Sequence, residues 1–162
     1  MDVESKGMRK PLARAAAIAA ILILAGISAW IKNRNDTYVS DVTINRPFDV
    51  AWVWLSEPSN YRRLYPNWIK EITPASGDAY KVNDRFGGSY IVTVIRSKEF
   101  GIVDLHIGTE TSRLRLIPLS AEKTLAVHVA TRWTAANALA WFFHKRTTDQ
   151  DLENAKMIIE AE

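Results

Sequence analysis

Asp104 and His106 are the side chains whose types and spacing come nearest to acid–base chemistry. They stand two residues apart in an alternating stretch, so a strand carries both on one face, as a general base and the group that orients it. Val103, Leu105 and Ile107 between and beside them form the more apolar set, which turns Asp104 and His106 toward solvent. The same argument applied to Leu125, Val127 and Val129 turns His128 outward, and His144 reads as a solvated residue of the last helix. The three histidines show neither HxH nor HExxH spacing and the chain has no cysteine, so neither a metal site nor a thiolate nucleophile is expected. There is no serine elbow and no glycine-rich phosphate loop. Gly87-Gly88 falls inside an expected strand and reads as a bulge or a point of close packing. No catalytic residue, metal or cofactor is assigned on these grounds.

The aromatic side chains say more. Trp52, Trp54, Tyr61, Trp68, Phe86, Tyr90, Trp133, Phe142 and Phe143 exceed what a small core requires. Most must be core, and the remainder can wall a pocket, since small-molecule sites are mainly apolar with few polar groups.

These residues need a scaffold, and the periodicities supply one. Tyr38–Ile44 alternates as a strand, and Pro47 opens a short helix over Val50–Leu55. A second short helix, Asn60–Tyr65, is stopped by Pro66; Trp68–Thr73 is a strand and residues 74–78 a turn-rich loop. Four strong strand signals follow: 85–95, 100–107, 111–119 and 122–133. In the third, Leu114 and Leu116 oppose Arg113 and Arg115; in the fourth, Leu125, Val127, Val129 and Trp133 oppose His128 and Arg132. Connections this short imply an antiparallel meander. A long helix from about Ala135 places Leu139, Phe142 or Phe143, Leu152, Ala155 and Ile159 on one stripe. It is the only long amphipathic element able to cover a one-sided sheet. The class is α+β: a curved antiparallel sheet of six or seven strands gripping a C-terminal helix, an arrangement that tends to leave space between them.

Charge separates the two ends of the chain. Of 21 basic and 18 acidic side chains, six and three fall in residues 1–37, which leaves 15 of each for the remainder. Nucleic-acid binding rests on a basic excess in the folded domain, and none exists. The basic residues flank Ala15–Ile31, an uncharged run that spans roughly 25 Å as a helix against a hydrocarbon core of ~30 Å. Residues 1–14 are then a basic tail, 15–31 a transmembrane anchor or uncleaved signal, 32–37 a linker and 38–162 the folded domain. A cleaved signal, cut near Ile27-Ser28-Ala29, is the alternative. Four basic residues precede the run and two follow, so the N-terminus stays cytoplasmic and the domain lies on the outer, extracytoplasmic side.

Ile44-x-x-Pro47 followed by Ala51-Trp52-x-x-Leu55-x-Glu57-Pro58-x-x-Tyr61, then Pro66-x-Trp68-Ile69, resembles a strand-to-helix corner and second strand of known type. With Tyr80-x-Val82-x-Asp84-x-Phe86 and the terminal Asp151-Leu152-x-Asn154-x-Lys156-x-x-Ile159-Glu160, the stretch from Val39 to Glu160 resembles the START-like or SRPBCC superfamily, especially its short polyketide cyclase/dehydrase-type members. Asn83 departs from the glycine usual there. The resemblance implies the helix-grip fold and a capacity to enclose lipids, sterols, polyketides or other apolar molecules. It also implies that Tyr90, Leu114, Leu116, Trp133 and Phe143 line the gap between sheet and helix. That superfamily contains both enzymes and carriers, so fold alone does not choose. The expected function is non-catalytic binding of an apolar small molecule or lipid by a domain tethered to the bilayer through residues 15–31. The alternatives are an accessory subunit of a membrane protein complex, with a membrane protein as partner, and a cyclase or aromatase with polar groups inside the pocket.

Overall fold

Thr37–Ile44 places Ser40, Val42 and Ile44 on one side and Val39, Asp41 and Thr43 on the other, and this period of two makes it a strand, β1. The computed structural model describes residues 37–108, 110–131 and 138–162, with side chains at 110 and 138–144 excepted, together with helical residues 18, 21–24 and 26. The chain divides into two units, Met1–Asn35 and Asp36–Glu162, and the folded architecture belongs to the second.

Pro47 ends β1 and begins helix α1, Phe48–Ser56, which buries Ala51, Trp52 and Leu55. A single 3-10 turn, Pro58–Asn60, leads to the short helix α2, Tyr61–Leu64. Six strands follow: β2 (Ile69–Ser76), β3 (Ala79–Asp84), β4 (Ser89–Ser97), β5 (Ile102–Ile107), β6 (Glu110–Ser120) and β7 (Lys123–Thr131). Helix α3, Ala138–Ala161, closes the chain. The seven strands make one curved antiparallel sheet in the order β1-β7-β6-β5-β4-β3-β2.

Two expectations change here. The strand expected over 85–95 begins only at Ser89, as β4; residues 85–88 are the turn of the hairpin that joins it to β3. The Asp84 carboxylate accepts the backbone N–H groups of Phe86 and Gly88, and Gly87 adopts φ +90°. Gly87-Gly88 is therefore the turn itself, and a Cβ on Gly88 would stand 2.5 Å from Asp84 Oδ2. The loop expected over 74–78 is largely strand, since Pro74 pairs with Tyr80 in β2. Pro74 is tolerated because β2 is an edge of the sheet.

One face of the sheet looks inward. Register places Val42 beside Ala126, Leu116 beside Ala126, Val103 beside Leu114, Val94 beside Leu105 and Val82 beside Tyr90. Helix α3 covers this face through Leu152, Ala155 and Ile159, all at most 2% exposed, as the stripe expected from their spacing. Its second half is pinned by polar contacts. Asn154 Nδ2 donates to the Arg63 and Leu64 carbonyls at the end of α2, and Glu160 accepts from the Asn45 backbone and side chain. Asp151, 2% exposed, accepts from the Asn67 N–H and Nδ2 at 3.0 and 2.9 Å.

Among the described residues no helix is long and apolar enough to cross a membrane. Most of 15–31 lies outside those residues.

Candidate functional site

His128 is the residue the alternation misplaced. It pairs with Ser40 on β1 and Leu114 on β6, and its neighbours on the same face are Thr124, Ala126 and Ala130. That small-residue face, and not the bulkier Leu125, Val127 and Val129, is the inward one. Bulk misleads here because small residues are what let another element approach, and the larger set is left half-buried on the outward face. The signal was present in the run Thr124, Ala126, His128, Ala130, read as room beside a histidine.

A polar cluster surrounds the imidazole. His128 Nε2 lies 2.6 Å from Ser112 Oγ on β6. The Tyr38 ring leans over the imidazole at 5.9 Å, and the Tyr38 hydroxyl shares a 2.7 Å hydrogen bond with Thr148 of α3. Ser40 Oγ donates to Asp149 Oδ1, and Lys145 Nζ donates to Asp149 Oδ2 at 3.0 Å. Histidine Nδ1 is sealed from solvent and has no hydrogen-bond partner among the described residues. Burial pushes the His128 pKa down to about 4, with the nearby Asp149 charge opposing only in part. Burial likewise raises the Tyr38 phenol, although its bond to Thr148 acts the other way.

The chemistry this permits follows from that neutrality. Ser112 and His128 have the separation of a nucleophile and its base, but among the described residues no carboxylate bonds to Nδ1; Asp149 instead holds Ser40 and Lys145. An imidazole titrating near 4 is also a weak base at neutral pH. A neutral imidazole serves well as a single hydrogen-bonding point inside an apolar interior.

The residues expected to line the gap divide. Leu114 and Leu116 face inward at 5% and 2% exposure, and register sets them against His128 and Ala126. Tyr90 is on the same inward face but two strands away on β4, half-buried, with its hydroxyl accepting from Trp68 Nε1 at 2.7 Å. Trp133 and the Phe143 side chain lie outside the described residues. Tyr38, Ser40, Ser112, Thr148 and Asp149 were not anticipated. Small hydroxyls give no signal in a hydrophobic pattern, and it is register that gathers them.

Asp104 and His106 are on the outward face, as expected, but Asp104 is not open to solvent. At 8% exposure it is gripped by Arg113, with Nε to Oδ1 at 2.6 Å and Nη2 to Oδ2 at 2.7 Å. A bidentate pair of this kind explains the carboxylate without catalysis. The His144 side chain is outside the described residues. Among the described residues no three His, Cys, Asp or Glu side chains stand together as metal ligands. A cavity of about 330 Å³ does open at the surface, between Phe48, the β4–β5 turn at Lys98–Gly101, and Arg115–Pro118 of β6. It lies outside the sheet–helix interior. Lys98 there is held by Asp49 at 2.8 Å, so the groove offers less chemistry than the cluster around His128.

No family model matches the chain, and no curated protein is similar to it. Solved structures are. The aromatase/cyclase Zhui from Streptomyces sp. R1128 superposes with a TM-score of 0.63 at 18% identity, over 76% of this chain and 93% of that one. The di-domain aromatase/cyclase BexL, from the BE-7585A biosynthetic pathway, gives 0.62 at 13% identity, over 76% of this chain and 46% of that one. A START superfamily protein from Mycobacterium smegmatis gives 0.56 at 13% identity, over 77% and 94%. The fold is therefore the helix-grip fold that these aromatase/cyclase and START superfamily structures share.

Proposed function

We propose that this domain binds an uncharged, mainly apolar small molecule or lipid between the inward face of the sheet and α3, and holds it without transforming it. The observation that carries the reading is His128: a neutral interior imidazole with an uncommitted Nδ1, set beside Leu114, Leu116 and Ala126. Such a group offers one hydrogen bond to a carbonyl or hydroxyl in apolar surroundings. The aromatase/cyclase neighbours keep an enzymatic reading in view, but the depressed basicity of His128 and its missing carboxylate favour binding.

The domain is held at a membrane by residues 15–31, with 1–14 as a basic tail on the cytoplasmic side, 32–37 as linker and 38–162 as the folded domain outside. Support comes from Ile21, Leu22, Ile23 and Leu24, which are helical and each 62–66% exposed. Four consecutive positions at ~100° apiece face every side of a helix, so no side of it is polar. A ligand dissolved in the bilayer would then have a short path to the domain.

Native mass spectrometry of the full-length chain, extracted gently with its own lipids, tests the reading. A stoichiometric apolar ligand, weakened by His128→Leu and Leu114→Trp, is the expected result. A bare chain, or one retained only in a larger protein assembly, would replace the carrier with the accessory subunit.

A further inference from the structure

The outward face of β1, β7 and β6 is apolar where a one-sided antiparallel sheet is ordinarily polar. Val39 and Ile117 are 54% and 37% exposed, Leu125, Val127 and Val129 are half-buried beside them, and Leu119, 53% exposed, sits in the bulge at the end of β6. Register makes these a single patch: Val39 pairs with Val129, and Leu125 with Ile117. Its rim is basic. Arg115 and Lys123 are exposed and have no ion-pair partner among the described residues, and Arg113 remains half open although it grips Asp104. Against these cations stand the exposed carboxylates of Asp41 on β1 and Glu122 in the β6–β7 turn.

We propose that this face rests on the surface of a phospholipid bilayer. The choice of occupant comes from the chain itself. The apolar run ends at Ile31 and β1 begins at Thr37, so the connection spans at most roughly 20 Å even when fully extended. Thr37 and Val39, the first outward-facing residues after that connection, belong to the patch. A domain held so closely brings one of its faces to the headgroups. This face, which the connection reaches first, offers apolar side chains able to enter the interface and, in Arg115 and Lys123, cations able to meet phosphate. The inference rests on the reading of residues 15–31 as an anchor.

The absence of cysteine makes the test direct. Single-cysteine variants Ile117→Cys and Leu119→Cys, with Met157→Cys on the exposed side of α3 as control, carry an environment-sensitive fluorophore on the full-length chain. The chain is reconstituted into phosphatidylglycerol-containing vesicles whose lipids bear nitroxide quenchers. Labels at 117 and 119 should be quenched several-fold more than the label at 157, and the difference should shrink with added salt or with Arg115→Gln and Lys123→Gln together. If the chain floats with the vesicles but all three labels are quenched alike, the face proposal falls and the anchor stands. A chain that fails to float overturns both. Self-quenching between copies through the label at 117, without quenching by lipid, assigns the patch to a second copy of this chain instead.

Discussion

His128 joins an unusual set of properties at one position: a buried ring, one committed nitrogen and one uncommitted. Its pKa of about 4 when folded, against 6.5 for the free side chain, makes it a stability probe. The folded state resists protonation, so the unfolded state binds more protons between these values. The contribution of His128 is therefore complete above about pH 6.5 and is lost as the pH falls toward 4. The full shift corresponds to about 3 kcal/mol, an upper figure because buried sites relax when they charge. Urea melts of the full chain in detergent at a series of pH values should show this fall, and His128→Asn should flatten it. A pH slope unchanged by His128→Asn would mean that another group carries the titration. Asp149 is the acid that faces the ring, and Ser40 and Lys145 already hold it. Removing it should lower the His128 pKa slightly further, not restore it, because the Asp149 charge favours the protonated ring.

At the scale of elements, Asp151 tests how the second half of α3 is held. Both Asn67 donors converge on one oxygen, Oδ1, and burial raises the Asp151 pKa in spite of them. An amide keeps that oxygen and sheds the charge, so Asp151→Asn should change stability little. Asp151→Ala takes the acceptor from both Asn67 donors and should cost about 1–2 kcal/mol in a denaturant melt. Equal losses in both variants would show that charge, not acceptance, matters. A second junction is Gly101, where β5 meets β6. With φ +62°, a Cβ there would lie 2.3 Å from the Leu116 carbonyl oxygen, and Gly101 O accepts the Leu116 N–H at 2.7 Å. Backbone cannot yield as a side chain does, so Gly101→Ala should cost about 2–4 kcal/mol and also distort the cavity beside Phe48. A melt within experimental error of the parent protein would mean the hairpin shifts freely.

These elements also show what was legible in the chain. The strand–helix–strand order, the Arg113/Arg115 against Leu114/Leu116 alternation and the Leu152–Ala155–Ile159 stripe could all be read, because hydrophobic burial writes itself as periodicity. The β3–β4 turn could not, since it depends on the Asp84 carboxylate reaching forward to two backbone N–H groups across a β-rich stretch. The inward side of β7 was misread for a related reason. Both its faces are apolar enough to bury, and only register with Val42 and Leu116 decides between them. The polar cluster was beyond reach altogether, as its hydroxyls come from β1, β6 and α3, far apart in sequence.

For the whole molecule, the question is whether residues 15–31 hold the domain where a membrane-dissolved ligand could reach it. Lysine at the centre of a spanning helix costs about 2.5–3.5 kcal/mol on insertion scales, so Leu22→Lys with Leu24→Lys should remove most of the driving force for insertion. Both positions are helical and exposed and belong to the first unit, so the folded domain should be left intact. The expected outcome is a chain that leaves the membrane fraction yet melts at the parent temperature. Protease added to intact cells with the outer envelope opened should digest the parent domain if it lies outside and spare it if it lies inside. N-terminal sequencing of the parent protein separates the remaining alternative: a mature chain beginning near Trp30 means a removed signal.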